Sequence, residues 1–140
     1  MKDLKDYINE SIEGKKEIFV VIKPGFLDKT SDILDVYKEN GWVLKYTTIK
    51  QLMLEEAKKL YKVHKKQDFY KDLCDYMSSG VTRAMIFTKE TNDDEFEEAS
   101  RIKDEIREKW GESDMRNVVH SSDSKENFEK EASIYFGYIY

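Results

Sequence analysis

The sequence predicts an α+β sandwich, in which one four-stranded, mainly antiparallel sheet carries helices on a face. Three observations predict it. Short β-branched apolar runs, typical of strands, alternate with longer segments whose apolar residues recur at helical spacing. The connections between these segments are short, and they hold turn residues such as glycine. No repeat or linker divides the 140 residues, so we expect a single domain over 1–140.

The elements follow from local patterns. Apolar residues at helical spacing before Gly14 predict an additional N-terminal helix over 1–16, and the apolar run 18–22 predicts a strand buried on both faces. The other predicted elements are, in chain order, a helix around 33–37 ended by Asn40-Gly41, a strand over 42–49, helices over 54–64 and 69–77, a strand over 81–87, a helix within 91–110, a strand over 117–120 and a last helix begun by an Asp123–Glu126 capping box. This order of strands and helices is typical of the ferredoxin-like arrangement.

Charge and composition exclude several classes of function. The net charge is −5 and no uninterrupted basic stretch offsets it, which argues against non-specific binding to nucleic acid or to an anionic membrane. We expect no specific nucleic-acid partner and no membrane partner. No apolar run approaches the roughly 20 residues of a membrane span. The single cysteine, Cys74, suits a reducing compartment, and we expect a cytoplasmic protein. An anionic ligand would therefore have to bind at a local cluster of basic groups.

The two histidines lie in different settings. His64 stands in a lysine-rich helical stretch, which favours an exposed surface residue. His120 ends a predicted strand just before a predicted helix start at Asp123, where free backbone N–H groups and the helix dipole favour a phosphate. By spacing alone, a structural role for His120 remains the commoner case.

A family resemblance changes the weight of these interpretations. The run Arg116 to Ser124 reads R-N-V-V-H-S-S-D-S and resembles the N-x-x-H-G-S-D signature of nucleoside diphosphate kinases. Weaker matches follow in the family order. Val21-Ile22-Lys23-Pro24 resembles V-K-P-D-G, and Leu60-Tyr61 with Phe69-Tyr70 and Leu73 resembles H-Y…F-F-x-x-L. Further along the chain, Ser79-Gly80 with Ala84-Met85 resembles S-G-P-V-x-A-M, Glu90-Thr91-Asn92 resembles G-E-T-N, and Ile106-Arg107 with Trp110-Gly111 resembles I-R-G-D-F-G. Together they cover most of 18–136.

The resemblance implies an enzyme that moves the γ-phosphate of a nucleoside triphosphate to a nucleoside diphosphate through a phosphohistidine, in a ping-pong mechanism. It implies His120 as the nucleophile, Glu131 as the residue that orients its ring, and Ser122 as support for that contact. The other implied roles are phosphate and sugar binding by Lys23, Thr91, Arg107 and Asn117, a place beside the nucleophile for Tyr61, base stacking by Phe69 and a base-slot contact by Leu73. It also implies Mg²⁺ held by the nucleotide phosphates, and a homo-oligomer that is at least a dimer.

Three departures bear on the activity. The turn after the first strand lacks the aspartate of V-K-P-D-G, and Ser121 stands where the signature has glycine. About a dozen residues are missing between Phe87 and Thr91, and with them a second phosphate-binding arginine. Arg101 could substitute for that arginine, although a solvated charge on a helix is the commoner role.

Two alternatives remain open at this point. A catalytically weak nucleotide-binding or regulatory module would keep the cleft without the second arginine. Histidine phosphotransfer in signalling without a nucleotide would need no base slot, which Phe69 and Leu73 argue against.

Overall fold

The fold is described here from a computed structural model, in which residues 15–137 are described. Four strands form one sheet: β1 Lys15–Ile22, β2 Val43–Lys50, β3 Thr82–Glu90 and β4 Val119–Ser121. Their order across the sheet is β2-β3-β1-β4, and all three pairings are antiparallel. The predicted ferredoxin-like α+β fold is confirmed.

Helices cover both faces of the sheet, whereas the sequence analysis expected them on a face. Within 15–137 the α-helices are α1 Thr30–Glu39, α2 Leu54–Leu60, α3 Tyr70–Met77, α4 Glu95–Trp110 and α5 Lys125–Phe136, with 3₁₀ turns at Leu27–Lys29 and Lys62–His64. One core cluster joins α1 and α4 to the sheet, and a second joins α2, α3 and α5 to the opposite face.

The central strand β1 explains why two cores form. Ile18, Val20 and Ile22 point into the first cluster, while Phe19 and Val21 point into the second. All five side chains are fully buried, because successive side chains of a strand point to opposite faces and both faces are covered. The run 18–22 therefore has the burial that its sequence predicts.

Several element boundaries differ from the sequence prediction. Lys15 and Lys16 belong to β1, where they pair with Glu90 and Lys89 of β3, so the predicted helix cannot extend to residue 16. The rest of that predicted helix, 1–14, lies outside the described residues. Gly41 has the predicted role, since its φ of 85° forms the left-handed end of α1.

Within 15–137, no helix has the length and apolar character that crossing a bilayer requires.

Candidate active site

A pocket of about 870 Å³ lies where β1 and β4 meet the segment 59–73 and one face each of α4 and α5. Among its lining residues are six basic side chains, Lys23, Lys59, Lys62, Lys103, Arg107 and Lys130, and three acidic ones, Asp114, Asp123 and Glu131. The pocket is therefore positive although the whole chain carries a net charge of −5. This is the local basic site that an anionic ligand needs in an acidic protein.

His120 is held by both strand pairing and a side-chain bond. It lies in the middle of β4 opposite Val21 of β1, and its side chain is 16% exposed. Nε2 of its ring is hydrogen-bonded to Oε1 of Glu131 on α5. A carboxylate only accepts, so Nε2 carries the proton and Nδ1 keeps its lone pair. A neutral imidazole in this tautomer can act as a nucleophile through Nδ1.

The turn before His120 is strained. Val118 has a φ of 80°, and the N–H of Val119 donates to the carbonyl of Asn117 at 3.0 Å. This combination is a γ-turn of the rare kind, which is unfavourable for a β-branched residue. Val118 is fully buried, and packing around it holds the conformation that leads the chain into His120.

The helix that carries Glu131 begins one residue later than predicted. Ser124 is the N-cap of α5, and its hydroxyl accepts from the N–H of Asn127 at 3.1 Å. The predicted Asp123–Glu126 capping box is therefore wrong. Asp123 instead accepts from Nδ2 of Asn127 at 2.7 Å, and it lines the pocket next to the start of α5.

Ser121 occupies the position at which the family signature has glycine. It is a regular residue of β4, paired with Val20, and it does not have a positive φ. Nothing in its backbone requires glycine, so serine fits this position without strain.

Tyr61 lies directly beside the histidine. Its ring meets that of His120 edge to face, with the centroids 5.1 Å apart. Burial raises the pKa of Tyr61 well above its ordinary value, and the charges of Tyr135 and Glu131 add to the effect. Its hydroxyl is buried and has no hydrogen-bond partner among the described residues. A neutral hydroxyl of this kind can donate to an oxygen of a ligand.

Lys23 follows β1 and is only 3% exposed. Its backbone N–H donates to the carbonyl of Val118 at 2.8 Å, and its Nζ donates to the carbonyl of Met115 at 3.3 Å. Burial lowers the pKa of Lys23 to about 7, with further lowering by the charges of Arg107 and Lys103. No described carboxylate lies within ion-pair distance, so a bound anion would supply the missing partner.

Arg107 of α4 faces the same space. Nε and Nη2 both donate to the carbonyl of Val119, at 3.2 and 2.9 Å. A guanidinium has five N–H donors, so three remain for a ligand. Burial lowers the pKa of Arg107 from its ordinary value. Lys103, one helical turn earlier, also lines the pocket; sequence analysis missed it, although its i,i+4 spacing from Arg107 was a usable signal.

Aromatic side chains form the mouth of the pocket. Phe69 is 45% exposed, and Leu73 lies on α3 behind it. The ring of His64 lies 5.5 Å from that of Phe69 and 6.4 Å from that of Tyr61. His64 is thus a half-buried pocket residue, whereas its lysine-rich context predicted an exposed one. A flat ligand group could stack on Phe69.

Asn117 lines the pocket, whereas Ser122 is not among its lining residues. Nδ2 of Asn117 donates to the carbonyl of Asp114 at 2.8 Å, and its Oδ1 is buried without a partner among the described residues. The hydroxyl of Ser122 is also buried and unpartnered, so the structure does not bring it into a hydrogen bond with Glu131. Its backbone N–H instead donates to Phe19 at 3.2 Å.

Thr91 and Arg101 do not reach the pocket. Thr91 follows Glu90, which pairs with Lys15 at the far end of β1, eight residues and roughly 26 Å from Lys23 at the rise of a strand. The side chain of Arg101 is 62% exposed and lies 3.7 Å from Glu98. Neither residue is in position to bind a ligand of this site, so Thr91 is not among the proposed phosphate-binding residues and Arg101 does not substitute for the missing arginine.

The described residues contain no cluster of three or more histidine, cysteine, aspartate or glutamate side chains that could hold a metal ion. Of the three acidic side chains that line the pocket, Glu131 is hydrogen-bonded to His120.

Comparison with known proteins bears on what this pocket is. Residues 16–138 match the family profile described as nucleoside diphosphate kinase. The chain belongs to the nucleoside diphosphate kinase family. A nucleoside diphosphate kinase of Thermosipho africanus is 31% identical, over 84% of this chain and 86% of the relative. One from Nitratiruptor sp. is 35% identical, over 83% and 91%.

A solved nucleoside diphosphate kinase structure has the same fold. The enzyme of Aquifex aeolicus superposes with a TM-score of 0.75 at 24% identity, covering 86% of this chain and 94% of the other. The family match makes the chain a phosphotransferase of the nucleoside diphosphate kinase family, with nucleotides as its substrate class. Its transferase, kinase and nucleotide-binding character follows from the same membership.

Proposed function

We propose that the protein transfers the γ-phosphate of a nucleoside triphosphate to a nucleoside diphosphate through phospho-His120, by a ping-pong mechanism. The observation that carries the proposal is the bond from Nε2 of His120 to Glu131, beside two cations, Lys23 and Arg107, that form no ion pair with an acidic residue of the described range 15–137. A nucleophile with one nitrogen fixed and unpaired positive charge next to it suits the attack on a phosphate.

In the first half-reaction, Nδ1 of His120 attacks the γ-phosphorus. An N–P bond forms while the bond from that phosphorus to the bridging oxygen of the diphosphate breaks, and the diphosphate leaves with the bond electrons. Glu131 stabilises the positive charge that the ring gains, because its carboxylate accepts the hydrogen bond of the Nε2–H group throughout. In the second half-reaction a terminal oxygen of another nucleoside diphosphate attacks the phosphohistidine, and the free imidazole returns.

Lys23 and Arg107 bind the phosphate oxygens in this proposal. Phosphoryl transfer depends on positioning and on positive charge near the equatorial oxygens, and both side chains keep free N–H donors. The buried hydroxyl of Tyr61 donates to the transferring group, which would satisfy an atom that has no described partner. Asn117 contributes to the phosphate and sugar contacts through its pocket-facing amide.

Phe69 stacks on the base, and Leu73 closes the slot from α3. A phenylalanine that is 45% exposed at a pocket mouth offers an apolar face that a base can cover. Stacking does not distinguish strongly among bases, because every base has a π-face. We therefore expect broad acceptance of purine and pyrimidine nucleotides.

The family uses a divalent metal ion, and we propose that Mg²⁺ enters with the nucleotide. The excess of basic over acidic side chains in the pocket supports phosphate oxygens, rather than side chains, as its ligands. When bound, Mg²⁺ would neutralise part of the phosphate charge. The side chains named above supply the remaining contacts.

The alternative is a catalytically weak module that binds nucleotides. The absence of the second arginine favours it, since Arg101 lies outside the pocket. The retained His120–Glu131 bond argues for turnover, because binding alone does not need an oriented imidazole.

A label-transfer experiment tests the proposal. Purified protein is incubated with γ-labelled ATP and Mg²⁺, and then chased with dGDP or dCDP. We expect an acid-labile label on the protein that moves to the diphosphate, is absent in His120→Ala and persists in His64→Ala, which removes the other histidine. Nucleotide binding without any label would instead support the module and end the enzyme proposal.

We also propose a homo-oligomer of at least two chains. Strand β2 is an edge of the sheet within the described residues, and Val43, Leu44 and Ile49 on it are exposed apolar side chains. An exposed apolar edge strand is a surface that a second copy can cover.

A further inference from the structure

We propose that Lys103 binds the phosphate chain of the nucleotide and supplies the positive charge of the second arginine that the chain lacks. This inference rests on the proposed function, because it assigns one more residue to the same phosphate-binding pocket. It differs from the sequence-based expectation, which considered Arg101.

The helix geometry places Lys103 on the pocket face of α4. Lys103 and Arg107 are four residues apart, so they are neighbours on one side of the helix, with about 5 to 6 Å between Cβ atoms. Ile102 and Ile106, the residues that precede them, are fully buried in the core on the adjoining side. Both Lys103 and Arg107 line the pocket, together with His120.

Lys103 is a cation without a described partner. Other partly buried lysines have one, as Lys89 does with Glu98 at 2.8 Å. None of the ion pairs or hydrogen bonds among residues 15–137 involves the ammonium of Lys103. Lys103 and Arg107 therefore place two positive charges on one side of the pocket, where a bound polyanion could pair with both.

The surroundings of Lys103 support the same conclusion. Burial lowers its pKa, and the charge of Arg107 lowers it further, while Asp104 and Asp123 act in the opposite direction. The pKa of Lys103 is lowered overall, so the two carboxylates do not fully offset the effects of burial and of the charge of Arg107. A phosphate bound between Lys103 and Arg107 would favour the charged form of both.

Arg101 provides a matched control on the same helix. It lies two residues before Lys103, so the helix turns it by about 200° away from the pocket. Its side chain is exposed, and it lies 3.7 Å from Glu98. Removing its charge changes the total charge of the protein as much as removing that of Lys103.

The test compares Lys103→Met, Lys103→Arg and Arg101→Met by calorimetric binding of adenosine, AMP, ADP and ATP with Mg²⁺. We expect Lys103→Met to weaken ATP binding about 10- to 100-fold, as the loss of a charge-assisted hydrogen bond does. The loss should shrink from ATP to AMP and vanish for adenosine. Lys103→Arg should restore most of the affinity, and Arg101→Met should leave it unchanged.

Equal affinities of Lys103→Met and Arg101→Met for ATP would overturn the inference. A uniform loss for adenosine and ATP would also overturn it, because that pattern indicates altered packing. If Lys103→Met loses its thermal transition, Lys103→Gln repeats the test with a polar, uncharged end. Labelling of His120 in the unaltered protein is measured in parallel, so failure of the kinase proposal is seen separately from failure of the Lys103 assignment.

Discussion

Nε2 of His120 is hydrogen-bonded to Oε1 of Glu131, although the two residues lie on different elements, β4 and α5. The bond fixes both the tautomer and the direction of the ring. It also fixes a buried carboxylate, since the side chain of Glu131 is 9% exposed. Replacing either partner would leave the other without its bond.

Glu131→Gln should slow the labelling of His120 and leave nucleotide binding almost intact. An amide can still bond to the ring, but it does not stabilise the positive charge that the ring gains during attack. We expect a loss of about 10- to 100-fold in the single-turnover labelling rate, the size of one charge-assisted bond. Rapid-quench labelling measures the labelling rate, and calorimetry measures nucleotide affinity. Glu126→Gln on the exposed face of α5 is the control, and equal rates for both variants would contradict the role of Glu131.

Lys23 should make stability depend on pH. Its pKa is about 7 in the folded protein and 10.5 in the unfolded chain. Between these values the unfolded chain binds more protons, so the free energy of unfolding should rise as the pH increases from 7 to 10.5. Urea titrations of the empty protein and of Lys23→Met should diverge in this window. Parallel pH profiles would show that burial of Lys23 has little energetic effect.

The lowered pKa of Lys23 also predicts the pH dependence of phosphate binding. Only the protonated form of Lys23 attracts a phosphate, so kcat/KM for a nucleoside triphosphate should fall as the pH rises through about 7. Lys23→Arg keeps the charge at every accessible pH. A fall of the same size at the same pH in Lys23→Arg would assign the titration to another group.

The strain energy of the turn can be measured by comparing substitutions at the neighbouring residues Val118 and Val119. Val118 and Val119 are both fully buried, but only Val118 has a positive φ. Replacement by glycine removes the same side chain at both positions and relieves strain of about 1 to 3 kcal/mol at one of them. We expect Val118→Gly to cost less free energy of unfolding than Val119→Gly, by about that amount. Equal costs in urea denaturation would mean that the turn stores no strain.

Phe69→Ala should weaken the binding of purine and pyrimidine nucleotides to a similar extent. Loss of stacking corresponds to about 1 to 3 kcal/mol per base, and a half-exposed side chain contributes little to folding. Calorimetry with ADP and CDP measures the loss of nucleotide affinity, and thermal unfolding measures the change in stability. Val63→Ala, a more exposed residue of the same pocket mouth, should change neither. A loss confined to one base would indicate hydrogen-bond recognition instead.

The oligomer proposal depends on the exposed edge of the sheet. Ile49→Lys places a charge on β2 and should shift the mass measured by light scattering toward a single chain. Val81→Lys, an exposed apolar position outside the strands, should leave the mass unchanged. An unchanged mass in Ile49→Lys would exclude β2 as the contact.

The sequence predicted the fold better than it predicted the site. Buried runs such as 18–22 have one stable arrangement, and their periodicity is local. Thr91 shows the weakness of matching short motifs: its match ignored the register of β1 and β3, which puts it at the far end of the sheet. The order Gly-Glu-hydroxyl also occurs at Gly111-Glu112-Ser113, next to Asp114 of the pocket.

The roles of Lys103 and His64 depended on tertiary packing. Sequence context shows that His64 has charged neighbours, but it does not show that its ring contacts Phe69. The i,i+4 spacing puts Lys103 on the same side of α4 as Arg107, but only the packing of α4 beside β4 shows that this side faces the pocket. Side chains that meet across elements are the part of a site that local patterns predict least well.

Two consecutive carbonyls accept hydrogen bonds from the residues that we propose to bind phosphate: that of Val118 from the backbone N–H of Lys23, and that of Val119 from the guanidinium of Arg107. The next residue in the chain is His120. When thermal motion displaces β4, these bonds therefore move the backbone of Lys23 and the guanidinium of Arg107 along with it. The distances from the imidazole of His120 to Lys23 and Arg107 should therefore vary less than the position of each of these residues within the molecule.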